Sequence, residues 1–377
     1  MKKVIAFVDH TAKLSGGEIA LFNLIKQLDK NKYMPIVILS EEGELAEKLI
    51  SIGIKVKILA LKDSIKNRNR HKVSKNIISS IIHLIIYSYN LSKLLKRENV
   101  DIVHTNSLKA AIFGGISAKL SNKKLIWHIR DSISYPYLSK KTAGIIKILS
   151  RYFPNAIVAN SHYTLDTLNL PANKLKNSLV IYSGYSGEFF LDEKEKENFN
   201  VVMVGRLAEW KGQHILIEAA SKLKEYKDIN FYIVGGPLFG EKQYEKLIHD
   251  QKISLELDNV NFVGHVSNVN SYLKRADVLV HASISPEPFG QVIVEGMAHC
   301  LPVIATNIGG PKEIVIDDET GYLIPANNPT LLAERIIKLK EDRVLRKEMG
   351  LAGVARVKNK FTIEVCANKV SEFYDRF

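Results

Sequence analysis

Apolar residues follow two alternating rhythms along this chain. Short unbroken runs such as VIAFVD (4–9), PIVIL (35–39), VVMVG (201–205) and NFYIVGG (230–236) read as strands buried on both faces. Between them, apolar positions recur every three or four residues, as in amphipathic helices. In the first half, residues 4–9 predict a strand, Ser15-Gly16-Gly17 a turn, 18–28 a helix and 35–39 the next strand. In the second half, 201–205 predict a strand, 206–213 a loop, 214–223 a helix and 230–236 a strand. Each half therefore opens as a βαβ unit, which requires parallel strands covered by helices on both faces. The predicted class is α/β, with two doubly wound, Rossmann-like domains facing a central cleft at the C-terminal ends of their strands. The charged stretch GEFFLDEKEKENFN (187–200) reads as a linker. The expected domains are 1–190 and 191–360, followed at 361–377 by a C-terminal helix that packs back towards the N-terminal domain. No run repeats at a short fixed period, which excludes a solenoid.

Length and composition fit this picture. A chain of 377 residues, 46% hydrophobic, has enough apolar surface for two cores and too much for a disordered chain. Cys300 and Cys366 provide no disulfide framework, the usage expected of a cytoplasmic chain. The opening MKKVIAFVDH reads as a first strand, since Asp9 and His10 interrupt any signal-peptide core.

Net charge is +13, unevenly distributed. Residues 1–192 hold 29 Lys and Arg against 14 Asp and Glu, a net +15, and residues 193–377 hold 24 against 26, a net −2. The N-terminal half therefore expects an anionic partner. Its most basic stretch, 62–75, carries Lys62, Lys66, Arg68, Arg70, Lys72 and Lys75 against Asp63 alone. An amphipathic helix follows, with Ile77, Ile78, Ile81, Ile82, Ile85 and Tyr89 on one side and Asn76, Ser79, Ser80, His83, Asn90 and Lys93 on the other. One reading packs its apolar side on the sheet behind a solvated basic loop. The other rests residues 62–75, with part of the helix, on an anionic membrane surface, which makes the protein peripheral at the inner face of the membrane.

The candidate chemistry lies mostly in the second half. In PEPFGQVIVE, Glu287 falls on a loop after the strand predicted over 276–283, and Glu295 falls inside the helix predicted over 290–299. That helix begins near Phe289 and Gly290, where unpaired N–H groups can receive an anion or a hydroxyl. Upstream, GRLAEWKG (205–212) offers Arg206 and Lys211, five residues apart, on a loop that follows a strand. Both cations suit a phosphate, Arg206 through a bidentate pair and Lys211 as a point charge. Gly16-Gly17 and Gly309-Gly310 supply backbone that an anion can approach.

GRLAEWKG, followed about eighty residues later by ISPEPFGQVIVEGMAHCLPVIATNIGGPKEIV and then TGYLIP, resembles the donor-binding half of the family-4 retaining glycosyltransferases. The hallmark of that family, two glutamates separated by seven residues, is met by Glu287 and Glu295. The likeness implies the GT-B fold. It is strongest over about 200–325, and DIVHTNS (101–107) and WHIRD (127–131) resemble the family's acceptor-side segments.

The resemblance implies a role for each candidate. Arg206 and Lys211 bind the donor diphosphate and stabilise it as it leaves. Glu295 accepts from the two ribose hydroxyls. Glu287 accepts from a hydroxyl of the transferred sugar, and Phe289 and Gly290 donate backbone N–H groups to the same sugar. Gln291 belongs to the same donor-binding turn, and Gly16 and Gly17 bring the first loop near the phosphates. His128, placed at a strand end, contacts the transferred sugar and is needed for turnover. Asn106, Ser107, Arg130 and Asp131 lie on the acceptor side, although family members often carry His where this chain has Asn106. The donor expected is a UDP-sugar rather than a GDP-sugar, and the acceptor a glycan or polyprenyl-linked precursor of a cell-surface polysaccharide.

The chain contains no Asp-x-Asp, so neither metal nor cofactor is expected, and the two cations take the metal's place. Each assignment has a plainer competitor: surface cations for Arg206 and Lys211, a loop cap for Glu287, a solvated helix position for Glu295, a structural His128, a simple turn at Gly16-Gly17, and a local Arg130–Asp131 pair. Two other functions compete as well. A GT-B sugar-nucleotide epimerase would use the same donor contacts without an acceptor. A nucleic-acid-binding module would place aromatics among the basic residues of 62–75, which hold none, so no nucleic-acid partner is expected.

Overall fold

The computed structural model describes residues 2–62, 77–191, 197–238 and 240–377. The basic stretch 62–75, apart from Lys62, lies outside the described residues, as does part of the predicted linker. The chain divides into two compact units, Met1–Gly184 with Ile363–Phe377, and Tyr185–Thr362. The first division falls a little before the expected 190. The C-terminal helix, Ile363–Tyr374, is grouped with the first unit.

The first unit runs β1 (Lys3–Val8), α1 (Gly16–Gln27), β2 (Tyr33–Leu39), α2 (Glu44–Ser51), β3 (Lys55–Ile58), α3 (Ile77–Arg97), β4 (Ile102–Thr105), α4 (Leu108–Ser121), β5 (Lys124–Ile129), α5 (Lys140–Tyr152), β6 (Ala156–Ala159), α6 (His162–Thr167), α7 (Ala172–Leu175) and β7 (Ser178–Val180). Its strands pair in parallel in the order β3-β2-β1-β4-β5-β6-β7. Alternate residues of each strand serve opposite faces. Ala6, Val103 and Trp127 pack with Leu91, Phe113 and Ile146 of α3, α4 and α5. Ile5, Phe7 and Ile126 pack with Leu21 and Leu24 of α1, Leu45 of α2, and Val370 and Phe373 of the C-terminal helix. Both faces are therefore apolar, and the strands read as near-continuous hydrophobic runs.

Two local expectations change. The predicted turn at Ser15-Gly16-Gly17 is instead the start of α1, with Ser15 as its extended N-cap residue. More consequentially, the reading that packs the isoleucine side of α3 on the sheet does not hold. Ile81, Ile82, Ile85 and Ile86 are each about half exposed (48–54%), while Ser80, Tyr87, Ser88, Leu91 and Ser92 are buried. The serines explain the choice of face, because small side chains let α3 and α4 approach closely. Ser117 of α4 donates its hydroxyl to the Ser88 carbonyl at 2.9 Å and to Phe113 O at 2.6 Å. Among the described residues, no helix is long and apolar enough to cross a membrane.

The second unit runs β8 (Phe199–Val204), a 3-10 turn (Glu209–Lys211), α8 (Gln213–Lys222), β9 (Ile229–Val234), α9 (Lys242–Ser254), β10 (Val260–Gly264), α10 (Asn270–Leu273), β11 (Val278–His281), α11 (Gln291–Ala298), β12 (Val303–Thr306), α12 (Pro311–Ile314), β13 (Gly321–Ile324), α13 (Pro329–Glu341) and α14 (Arg343–Lys360). Its six strands are parallel in the order β10-β9-β8-β11-β12-β13. In each sheet the chain order reverses once, between β1 and β4 and between β8 and β11. The loops that leave these strands diverge, and in open α/β sheets this reversal is where ligands are received.

Candidate functional site

In the second unit, the site residues gather where β8 and β11 end side by side. The loop after β8 is pressed onto the sheet. Gly212 has φ +79°, and a Cβ there would meet the Ala282 carbonyl oxygen at 2.1 Å, so only glycine fits. The turn before it sets Lys211 Nζ 4.5 Å and Arg206 Cζ 5.8 Å from the Trp210 ring centroid. Arg206 Nε lies 3.1 Å from Glu241 Oε1, and Lys211 forms a short ion pair with Glu287.

Glu287 is the centre of this cluster. Its Oε1 accepts from the Ser283 hydroxyl at 2.6 Å and lies 3.0 Å from His281 Nε2, in addition to Lys211. Burial acts to raise its pKa, but Lys211 and His281 outweigh burial and hold the carboxyl well below the usual range. The structure thus joins Lys211 and Glu287, which the sequence reading assigned to separate parts of a ligand. His281 and Ser283 were missed. Their signal was their place at the end of the apolar run ADVLVHAS (276–283), directly upstream of Glu287.

Glu295, within α11, is the opposite case. No hydrogen-bond partner for its carboxylate occurs among the described residues, and burial pushes its carboxyl up to about 7. It is an acceptor without a donor. Gly290 caps α11 at φ +111°, with Phe289 buried behind it and Gln291 opening the helix. Gly309 and Gly310 do not offer open backbone as expected. Gly310 N donates to Glu287 O at 2.8 Å, and a Cβ on Gly309 would sit 2.5 Å from that same oxygen. They brace the Glu287 loop.

In the first unit, the candidates form a hydrogen-bonded row across the ends of β1, β4 and β5. Asn106 donates through Nδ2 to Asp9 Oδ2 at 2.7 Å and to Gly17 O at 3.1 Å. Arg130 donates to Asn106 Oδ1 at 3.0 Å and to Ser183 Oγ at 3.1 Å. His10 Nδ1 lies 2.9 Å from Ser107 Oγ, which also accepts from the Ala110 N–H as the cap of α4. Asp131 accepts instead from the Tyr137 hydroxyl at 2.6 Å. At Gly16 an added Cβ would meet nothing within 4 Å, and at Gly17 nothing nearer than 3.8 Å, so packing does not require either glycine.

His128 lies inside β5 rather than at its end, since the strand continues to Ile129, and it is buried. Its hydrogen bonds fix one tautomer. Arg130 Nη2, which can only donate, lies 3.4 Å from His128 Nδ1, so Nδ1 is an acceptor. His104 Nε2, 3.0 Å from the same nitrogen, must then carry a proton, leaving His104 Nδ1 to accept the Tyr374 hydroxyl at 2.6 Å. Burial, reinforced by Arg130, lowers both imidazole pKa values, His104 to about 3 and His128 well below its usual value. The chain therefore ends in a neutral imidazole whose Nε2–H has no partner among the described residues. His104 and Tyr374 escaped the sequence reading because 270 residues separate them.

Among the described residues, no group of three or more His, Cys, Asp or Glu is placed to hold a metal ion.

Comparison with known proteins is consistent with this geometry. The profile for glycosyl transferases group 1 matches residues 188–355, and that for glycosyltransferase family 4 matches residues 14–185. An uncharacterized glycosyltransferase of Methanocaldococcus jannaschii is 34% identical over 304 residues, covering 78% of this chain and 81% of that protein. The UDP-Gal:alpha-D-GlcNAc-diphosphoundecaprenol alpha-1,3-galactosyltransferase of Escherichia coli is 26% identical, over 98% of this chain and 96% of its own. Among solved structures, HepE of Anabaena in complex with UDP is similar at a TM-score of 0.84 and 25% identity, covering 100% of both chains.

The tautomer assignment is testable by 15N NMR of the imidazoles. His128 is expected to show Nε2 protonated and Nδ1 unprotonated across the neutral range. Tyr374→Phe leaves the Arg130 donor to His128 Nδ1 in place, so the His128 tautomer is expected to be unchanged, with a stability loss of about 1–3 kcal/mol. Both tautomers of His128 in that variant would show that Arg130 does not set it.

Proposed function

The chain belongs to the glycosyltransferases of group 1 and family 4, and on that premise we propose that it is a retaining, metal-independent enzyme that moves a sugar from a UDP-sugar to a polysaccharide or lipid-linked glycan precursor. The observation that carries the proposal is that the loop after β8 carries two cations, Arg206 and Lys211, while the helix that follows β11 carries Glu295, a buried carboxylate with no hydrogen-bond donor among the described residues. A nucleoside diphosphate offers phosphate oxygens to Arg206 and Lys211, in exchange for or alongside their glutamate partners, and two ribose hydroxyls to Glu295. UDP is favoured because the HepE structure holds it and the E. coli relative is named for a UDP-sugar. That relative is also named for a diphosphoundecaprenol acceptor, which supports the acceptor class.

As the sugar–phosphate bond breaks, negative charge grows on the diphosphate, and cations already held in place stabilise it without reorganisation. Glu287, ionised and anchored by His281 and Ser283, receives a sugar hydroxyl beside the Phe289 and Gly290 N–H groups. On the acceptor side, neutral His128 donates through Nε2–H and has no free lone pair, so it is not the base. The proton of the acceptor hydroxyl passes to the departing phosphate oxygen, and the new bond forms on the face that the diphosphate leaves. Sugar transferred only when acceptor is supplied would separate this reading from an epimerase.

Arg206→Ala is expected to lower kcat/KM with the UDP-sugar about a hundredfold or more, as loss of a charge-stabilising group does. Lys211→Ala should do the same, but it also strips Glu287 of its buried counter-ion, at a cost of about 3 kcal/mol, so its melting temperature must be measured alongside. Near-parental rates in both variants would remove the diphosphate from this loop.

Glu295 gives the pH dependence. Ribose hydroxyls bind the ionised carboxylate, so UDP affinity is expected to be full above pH 7 and to fall about tenfold per unit as pH drops below it. The sign for stability is opposite. A raised carboxyl pKa favours the folded protein at low pH, and that contribution fades as pH rises through 7. Glu295→Gln should bind UDP weakly and without this pH dependence, and a parent whose affinity is flat between pH 5 and 8 would refute the assignment.

Turnover is expected to survive EDTA, since the two cations do the work of a metal. Loss of activity that Mn²⁺ restores would overturn that expectation.

A further inference from the structure

Arg206 and Lys211 belong to the loop after β8, but part of what fixes that loop comes from the next crossover. Just past β9, Gly235 has φ +139°, and a Cβ there would lie 2.0 Å from Gly205 O. Leu207 N donates to Gly236 O at 3.1 Å. The loops after β8 and β9 therefore run against each other, and the second leads into α9 with Glu241 as its N-cap residue.

An acid at a helix start is ordinarily drawn to the N–H groups of its own helix. Glu241 makes no such bond. Its Oε2 accepts from the Leu238 N–H at 3.1 Å, and its Oε1 lies 3.1 Å from Arg206 Nε. One oxygen is anchored to its own loop while the other holds Arg206 by the inner nitrogen. A guanidinium held at Nε meets a phosphate bidentately only through its Nη1–Nη2 edge, so the grip on Nε sets the angle of approach. Tyr244, three residues further on and so on the same side of α9, secures the other end of the loop. Helix α8 starts at Gly212, and no side chain caps it there because only glycine fits. The Tyr244 hydroxyl takes that place: it accepts from the His214 N–H at 3.2 Å, so its own proton is directed to His214 Nδ1, 2.9 Å away.

From these contacts we infer that Glu241 and Tyr244 are positioning residues of the donor site: α9 grips residues 206–214 at both ends and so sets the placing of Arg206 and Lys211 for a diphosphate. The inference rests on the reading of that loop as the diphosphate site. Each residue acts through the loop. Orientation matters most where charge develops, so loss of the grip costs turnover more than it costs binding.

The test is a mutant cycle on transfer from a UDP-sugar to acceptor, with 15N NMR of the arginine side chains as a second readout. Glu241→Ala is expected to lower kcat about tenfold or more with a smaller change in KM. Glu241→Gln keeps an oxygen for Nε and should recover most of that loss. In an Arg206→Ala background, Glu241→Ala should have no further effect, because its effect passes through Arg206. Tyr244→Phe, which can neither accept from His214 N nor donate to Nδ1, should likewise lower kcat more than it raises KM. Parental kcat in either single variant, or an Arg206→Ala background in which Glu241→Ala still costs its full factor, would overturn the inference. The Arg206 Nε–H signal is expected to be protected from exchange in the parent, lost in Glu241→Ala and kept in Tyr244→Phe. A parent without turnover would refute the transferase reading, and the arginine signal then decides the grip by itself: unchanged in Glu241→Ala, it overturns the inference.

Discussion

A wholly parallel sheet imposes its own geography. Each strand pair needs a crossover that returns over a face, so helices claim both faces and every loop that leaves a strand's C-terminal end lands on one edge. Where strand order reverses, two such loops diverge and leave room between them. The first sheet reverses between β1 and β4, and the second between β8 and β11. Asp9, Asn106 and Arg130 gather at one reversal, and Lys211, Ser283 and Glu287 at the other. Neither cluster is contiguous in sequence; topology assembles both.

The two clusters solve the burial of polar groups in opposite ways. Around Glu287 the solution is charge: one carboxylate oxygen faces an ammonium, a hydroxyl and an imidazole, which together outweigh the cost of desolvation. Around His128 it is neutrality: two imidazoles and a phenol share protons in one direction, and burial beside Arg130 keeps both rings uncharged. A charged cluster suits a ligand whose charge changes during reaction. A directed neutral row suits a hydroxyl that only needs a donor. Glu295 lies between these cases, a half-buried acceptor whose missing donors a ligand can bring.

Much of this was legible in the sequence because the signal was local. Continuous apolar runs marked the strands, and Glu287 and Glu295 kept their spacing across a loop-to-helix corner that placed them at different heights. What was not legible depended on packing partners. The isoleucine stripe of α3 left its inward face undecided, and the serine stripe opposite it allowed the closer approach to α4, because periodicity does not say which face a neighbour will choose. The second double glycine looked like open backbone, yet Gly309 and Gly310 are small because the Glu287 loop lies against them. Tyr374 carried no signal for His104, since nothing in the last turn of an ordinary amphipathic helix announces a hydrogen bond to a strand 270 residues earlier.

The grouping of residues 363–377 with the first unit makes the second unit an insertion in the first. Its two ends are already stitched together, with Tyr185 N donating to Phe361 O at 2.7 Å and Tyr185 bridged to Thr362. A growing chain delivers these parts in an awkward order. The second unit is made whole before residues 363–377, which the first unit, although begun earlier, needs to cover Ile5 and Phe7 and to reach His104. The part of the molecule that is made first is thus finished only after the second unit has been made.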